Sequence, residues 1–399
     1  MSNRCQVPLL TLAAGLVACQ VEDRPTSDLP VQVEDSAGVR IVEYAGEPEM
    51  AAPFQFPAQP RYRHGGNPGD YAFQGIIAGR LFPDGGAVVY DGLNTELVVL
   101  NRDGTTHDVL ARQGDGPGDV NSVSAVFALG QDSVMVDHGN LGRVTLFVDG
   151  VVTRTVDMRI AYGLAVRGIA SSGHLLMSTA GFSTGFEEEW LPGYMARFDM
   201  DTGTLDTIAS YDHMSRPPPE LRWNPIGASG RVTVATGQFV YTRSDRPEIT
   251  WRLPDGPVMR IVRWRAEPDP LIEELLAGFE AALRAGNERA NPGASDADIE
   301  RMTASNMAAY HTVLGHPMPL FSTPIGDTEG RVWLPAYRPG GRRVDAPGYT
   351  VISGDGEWLG TVEAPPRLRI LDVAGGLVLG LLRDEMDVQS VVVYELTGG

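Results

Sequence analysis

Along most of this chain the apolar residues come in short runs, each broken by Gly, Asp, Asn or Pro. Residues 87–91, 331–334, 376–382 and 390–396 are examples. Runs of this length with turn formers at both ends predict strands, because a core helix needs a longer segment with apolar positions three and four apart. The turns are also specific. Asp-Gly follows such a run at Asp103-Gly104, Asp149-Gly150, Asp255-Gly256 and Asp355-Gly356, and Asp201-Thr202-Gly203 is a variant with one more residue. Asp-Gly between β-rich runs signals a hairpin, and its type I′ form needs positive φ at both central residues. A second turn class, residues 83–86 and 327–330, precedes the runs that start at Ala87 and Arg331.

The pattern repeats. Residues 87–104 overlay residues 133–150 without a gap at an offset of 46, matching Asp91 with Asp137, Asn94 with Asn140 and Leu100 with Leu146. That period is the size of one β-propeller blade. The turns then divide the chain into blades at 74–113, 121–158, 163–211, 224–265, 318–363 and 367–396. The sixth has only three strands, 368–373, 376–382 and 390–396. Because an unpaired sheet edge invites association, a strand from elsewhere is expected to complete it. Residues 63–70 match residues 112–119 at an offset of 49, which nominates residues 60–64 as that closing strand. Residues 38–44 read as an extra edge strand whose pairing the sequence leaves open.

Residues 267–316 break the β pattern. Apolar residues at 271, 272, 275, 276, 279 and 283 follow Pro270 with helical spacing, and Ser295 with Asp298 resembles a capping box opening a second helix through Thr312. The expected fold is all-β, a six-bladed β-propeller at 37–399, with this helical insertion between blades four and five packed on one face or on the outer rim.

Composition agrees and narrows the function. The 399 residues include 47 Gly and 29 Pro, which suits many turns. The net charge of -19 repels nucleic acid and anionic lipid headgroups, so no nucleic-acid partner is expected. All 32 basic residues are arginine, which excludes a P-loop lysine, a Schiff-base lysine and a Ser-Lys dyad. The two cysteines, Cys5 and Cys19, both lie near the N-terminus. Arg4 and the apolar run Val7 to Ala18 read as a signal peptide at 1–18, ending in Leu16-Val17-Ala18 before Cys19. That ending resembles a bacterial lipobox, in which Cys19 would be acylated and become the mature N-terminus. Two acyl chains would anchor it stably. Gln20 after the cysteine favours the outer membrane, and residues 19–36 read as a flexible tether.

The loop 114–119, the stretch 354–362 and the ending 382–394 resemble the NHL-like six-bladed propeller lipoproteins of bacteria, as does the opening segment 35–43. The resemblance covers residues 35–397. It implies a fold and an envelope location but no catalytic residues.

Individual candidates for chemistry are few. Ser183, in Gly181 to Gly185, matches a nucleophile-elbow pattern but lacks the parallel α/β setting that an elbow needs. Asp199, Asp201 and Asp206 alternate like part of a calcium loop without the distal bidentate Glu. Asp91, Asn94, Asp137 and Asn140 recur between blades and, with His138 beside Asp137, are the candidate ligand or channel residues. Arg63, Arg112, Asp70 and Asp119 are expected to form Arg-carboxylate clasps between blades. No catalytic residue is nominated, and no cofactor is expected, with calcium the one metal considered. The leading expectation is a monomeric, non-catalytic binding or scaffold module for a protein, glycan or small ligand. The alternative is a channel-centred, metal-dependent lactonase-like hydrolase or a lyase.

Overall fold

The structure, a computed structural model, describes residues 31–181, 187–339 and 348–398. The signal peptide at 1–18, the acylation site Cys19, the first part of the tether and Ser183 lie outside the described residues. Three strands come first: β1 (Val31–Ser36), β2 (Val39–Tyr44) and β3 (Tyr62–His64). Blade one is β4 (Ile76–Leu81), β5 (Ala87–Asp91), β6 (Glu96–Leu100) and β7 (Thr106–Ala111). Blade two is β8 (Ala125–Ala128), β9 (Ser133–Asp137), β10 (Arg143–Val148) and β11 (Val151–Asp157). Blade three is β12 (Leu164–Ile169), β13 (Leu175–Thr179), β14 (Trp190–Phe198) and β15 (Leu205–Ser215). Blade four is β16 (Gly230–Ala235), β17 (Gln238–Arg243), β18 (Glu248–Arg252) and β19 (Val258–Arg263). The helices α1 (Glu273–Ala290) and α2 (Asp296–Thr312) follow, as the insertion predicts. Blade five is β20 (Ile325–Gly326), β21 (Val332–Pro335), β22 (Gly348–Ile352) and β23 (Trp358–Glu363), and blade six begins with β24 (Leu368–Ala374), β25 (Leu377–Arg383) and β26 (Gln389–Glu395).

The molecule is a six-bladed β-propeller. The first strands of successive blades are neighbours around the axis, from β4 through β24 and back to β4. Ring closure occurs as expected: β3 pairs antiparallel with β26, setting Tyr62, Arg63 and His64 against Val393, Val392 and Val391. The edge that the last three strands leave open is thus closed by a segment more than 300 residues away in sequence.

Two expectations need correction. The tether does not extend to residue 36. Val31–Ser36 forms a hairpin with β2, and β2 runs parallel to β19, which widens blade four to six strands. Val42 and Tyr44 bury one face of β2 against that sheet, which gives the segment a reason to be ordered. Nor are all the Asp-Gly hairpins type I′. Both residues have positive φ only at Asp149 (50°) and Gly150 (74°). At Gly104, Gly256 and Gly356 the glycine alone is left-handed, as at Gly104 with φ 82°. There Gly104 N donates to Asn101 O at 2.8 Å, and Asn101 N to Thr105 O at 2.8 Å. That is a type I turn closed by a glycine bulge, which needs Gly at one position rather than two left-handed residues.

Six apolar clusters fill the six interfaces between blades, and a seventh joins the helices to the loop before β16 through Ile226. The cap of α2 is as read: Ser295 Oγ accepts from Asp298 N at 3.3 Å. The helix α1 starts two residues later than its apolar pattern does and runs to Ala290. Between blades, glycine lets backbones approach. A Cβ at Gly230 would strike Asp212 O, and one at Gly326 would strike Val234 O.

Candidate functional site

Strands one to two and three to four turn at one end of each blade, so the second-to-third turns and the crossings between blades share the other face. Asp91, Asp137 and the helical insertion all belong to this face. Here the repeated residues serve the turns. Asp91 is fully buried, and its carboxylate accepts from Gln74 N at 2.8 Å, Gly75 N at 2.9 Å and Asn94 Nδ2 at 3.0 Å. Asp137 accepts from Gly139 N at 3.0 Å and from Val166 N of blade three at 3.1 Å, and burial raises its pKa. His138 is buried with Nε2 3.0 Å from Thr145 Oγ1, and burial, with Arg143 nearby, lowers its pKa to about 4. The backbone of Asn140 lies in a short helical turn, Gly139–Leu141. The carboxylates of Asp91 and Asp137 are filled by protein partners, and all three side chains, His138 included, are buried rather than open to solvent.

The expected clasps do not form either. Asp70 accepts from Gly65 N and Asn67 Nδ2, each at 3.0 Å, and Asp119 accepts from Gly116 N at 2.9 Å. Their arginines point elsewhere: Arg63 donates to Ser390 Oγ at 3.1 Å and Arg112 to Glu96 at 3.0 Å. The matching motifs are Gly-rich loops, and a carboxylate that collects its own loop's amides satisfies backbone donors that turns leave unpaired.

The sequence reading missed four arginines on first strands: Arg80, Arg167, Arg231 and Arg369. A first strand has no backbone ladder to the next blade, so its inner carbonyls need other donors. Arg80 of β4 donates to Leu371 O at 3.2 Å, and Arg369 of β24 donates back to Ile76 O at 2.9 Å. Arg80 also lies 3.9 Å from Asp372, whose other oxygen accepts from Leu81 N. Arg167 donates to Ser178 Oγ at 2.8 Å within its own blade.

Arg231 differs. It is exposed to solvent, and among the described residues it has no hydrogen bond or carboxylate partner. It sits in the wall of a concavity where surrounding protein lowers its pKa, against the opposing influence of Tyr211. On the neighbouring strand β17, Arg243 holds Asp212 at 2.6 Å and Asp245 at 2.8 Å. Behind Arg231, His213 is buried, with Nε2 3.1 Å from Gly181 O. Burial, with Arg231 and Arg167 adding to it, holds that ring below the ordinary histidine pKa.

Arg231 opens into a cavity of about 280 Å³ between the loop before β16 and the segment after α2. Arg222, Trp223, the hydroxyls of Ser215, Ser229, Ser244, Ser322 and Thr323, and the rings of Phe321 and Tyr337 share its lining. Among the described residues no Asp, Glu, His or Cys lines it. The insertion sets the geometry from outside: Tyr310 of α2 meets Trp223 edge to face at 6.4 Å, and Tyr337 donates to Pro225 O at 3.3 Å. Two guanidiniums without a competing carboxylate, in a chain of net charge -19, suit a negatively charged ligand. A signal for these arginines does exist in the sequence. Gly79-Arg80, Arg167-Gly168 and Gly230-Arg231 each set Arg beside Gly on a first strand, but it is readable only once the first strands are known.

No protein-family model matches the chain, and no curated protein matches it in sequence. Among solved structures it is similar to a member of the duf4221 family from Bacteroides vulgatus, with 9% identity, a TM-score of 0.51, and coverage of 87% of this chain and 98% of that one. It is similar also to a protein described as exported, from Bacteroides fragilis, with 10% identity, a TM-score of 0.51, and coverage of 90% and 99%. A calcium-binding protein, regucalcin, from Agrobacterium tumefaciens aligns at 12% identity over 87% of this chain and 97% of its own, with a TM-score of 0.43. The first two share the fold of this chain. Such identities extend the likeness no further than the fold.

Proposed function

We propose that this chain is an exported, lipid-anchored propeller of the NHL-like kind that acts as a non-catalytic binding module for a small organic anion. The observation that carries the reading is Arg231, which among the described residues is an exposed guanidinium without an acid partner, in a cavity where none of those residues places a carboxylate on the wall. Among the described residues the cavity offers donors and apolar surface but no imidazole, carboxylate or thiol to move a proton or attack a bond, which favours binding over turnover. Among the described residues no group of three or more His, Cys, Asp or Glu could hold a metal ion, so nothing there favours the metal-dependent alternative. If Cys19 is acylated, twelve residues separate it from Val31 at the outer edge of blade four, a reach of at most about 40 Å.

A panel of small carboxylates and inorganic phosphate, scored by thermal unfolding, tests the binding site. At least one anion should raise the midpoint, and Arg231→Gln should remove the rise. No shift with any anion, or the same shift in the variant, would sink the reading. Anchoring is tested separately by the mass of the N-terminus, where an unmodified Cys19 or a cut at another residue refutes it.

A further inference from the structure

We infer that the anion is an acidic sugar, a ring bearing a carboxylate, seated with that carboxylate on Arg231 and one face on Trp223; this rests on the proposed anion site and specifies its ligand. Three features of the cavity meet in that one chemistry. Arg231 and Arg222 provide planar forks that match a carboxylate in geometry as well as charge. Trp223 is 42% exposed, although it is the kind of residue usually covered, and Tyr310 fixes it edge-on from the insertion. An exposed, pre-oriented indole presents an apolar plate with little rotamer freedom to lose, which suits the C–H face of a saturated ring. Five Ser and Thr side chains complete the wall with small groups that both donate and accept, as ring hydroxyls require.

Size and charge exclude the simpler occupants. Inorganic phosphate or acetate would use the guanidinium but leave the indole and most hydroxyls idle. A neutral sugar would leave Arg231 unpaired. At about 280 Å³ the cavity stands near the lower end of small-ligand sites, roughly 300–1,000 Å³, which suits one sugar ring rather than a long chain buried whole. Its opening on the face leaves room for the rest of a glycan outside.

Calorimetric titration of the purified chain with glucuronate, glucose, acetate and inorganic phosphate decides the matter. Glucuronate should bind at least about tenfold more tightly than the other three. Arg231→Gln should weaken glucuronate by about tenfold or more. Trp223→Ala should weaken it by about threefold to tenfold and leave acetate unchanged, while Trp223→Phe keeps most of the affinity. The unfolding midpoint of each variant confirms that it is folded. If acetate or phosphate binds as tightly as glucuronate, or if Trp223→Ala changes nothing, the sugar is overturned while the anion site stands. If glucose alone binds, or if Arg231→Gln leaves glucuronate unaffected, the anion site falls with it.

Discussion

The interface between blades six and one and the interface between blades three and four are built from the same repeat, yet they are opposites. The first packs thirteen buried apolar residues, from Tyr62 to Val393, while the second packs six, among them Tyr211 and Phe239. At the axis the first is stitched by Arg80 and Arg369, which trade carbonyls between β4 and β24. The second keeps Arg167 within its own blade and leaves Arg231 to solvent. A ring needs a strong closure where its ends meet, and it can afford a polar, open seam elsewhere. The difference sets the better-packed seam on one side of the axis and the proposed ligand site on the other.

The largest effect should come from the closed side. Leu379→Ala removes a fully buried side chain from the six-one core and should cost about 3–5 kcal/mol in denaturant unfolding. Tolerance of that substitution would mean that ring closure is not where the stability lies. Next, Arg80→Gln strips Asp372 of its cation and Leu371 O of its donor. Asp372 already has a pKa raised by burial, and the loss should cost about 2 kcal/mol, reduced from a fully buried pair because Arg80 keeps partial solvent contact. The same substitution at Arg231 should change stability by no more than about 0.5 kcal/mol. Equal costs at the two positions would erase the contrast.

Acid should separate the two sides as well. His213 has a folded pKa below its unfolded value, so its stabilising contribution is complete above the unfolded pKa, near 6.5, and is lost as pH falls toward the folded one. Over that window the loss approaches about 1.4 kcal/mol per pH unit for each such group. His64 on the closed side is also lowered by burial, but Asp70 opposes the shift, whereas Arg231 and Arg167 deepen that of His213. Hydrogen exchange on acidification should therefore open β15 and β16 before β26 and β3. Smallest of all, Arg231→Gln should raise the His213 pKa, read from its ring protons by NMR, by removing a repulsive cation. An unchanged value would place Arg231 too far away to matter electrostatically.

Much of the ring was readable from local chemistry. Blade limits followed from Asp and Gly at fixed places after apolar runs, and the closing strand followed from the match of residues 63–70 with residues 112–119. The Ser295 cap was readable because a capping box is a contact between residues three apart. Reading failed where identical residues do different work. Asp91 and Asp137 repeat because each second-to-third turn needs amides capped, Leu93 N and Asn94 N by Asp91 and Gly139 N by Asp137, so repetition marked geometry rather than a ligand. Arg63 and Arg112 repeat in sequence but meet Ser390 and Glu96, partners that no motif spacing specifies.

By itself, then, the sequence determined the β class, six blades, the order of turns and the helical insertion, since strand length, turn chemistry and capping are interactions over a few residues. Only the tertiary structure decided that β2 extends blade four, that Arg80 and Arg369 are consumed at the axis, and that Arg231 is left open beside Trp223. Those outcomes depend on which carboxylates and carbonyls other blades bring within hydrogen-bond reach. Arg243 holds Asp212 and Asp245, while Arg231, on the same blade, has no acid partner among the described residues.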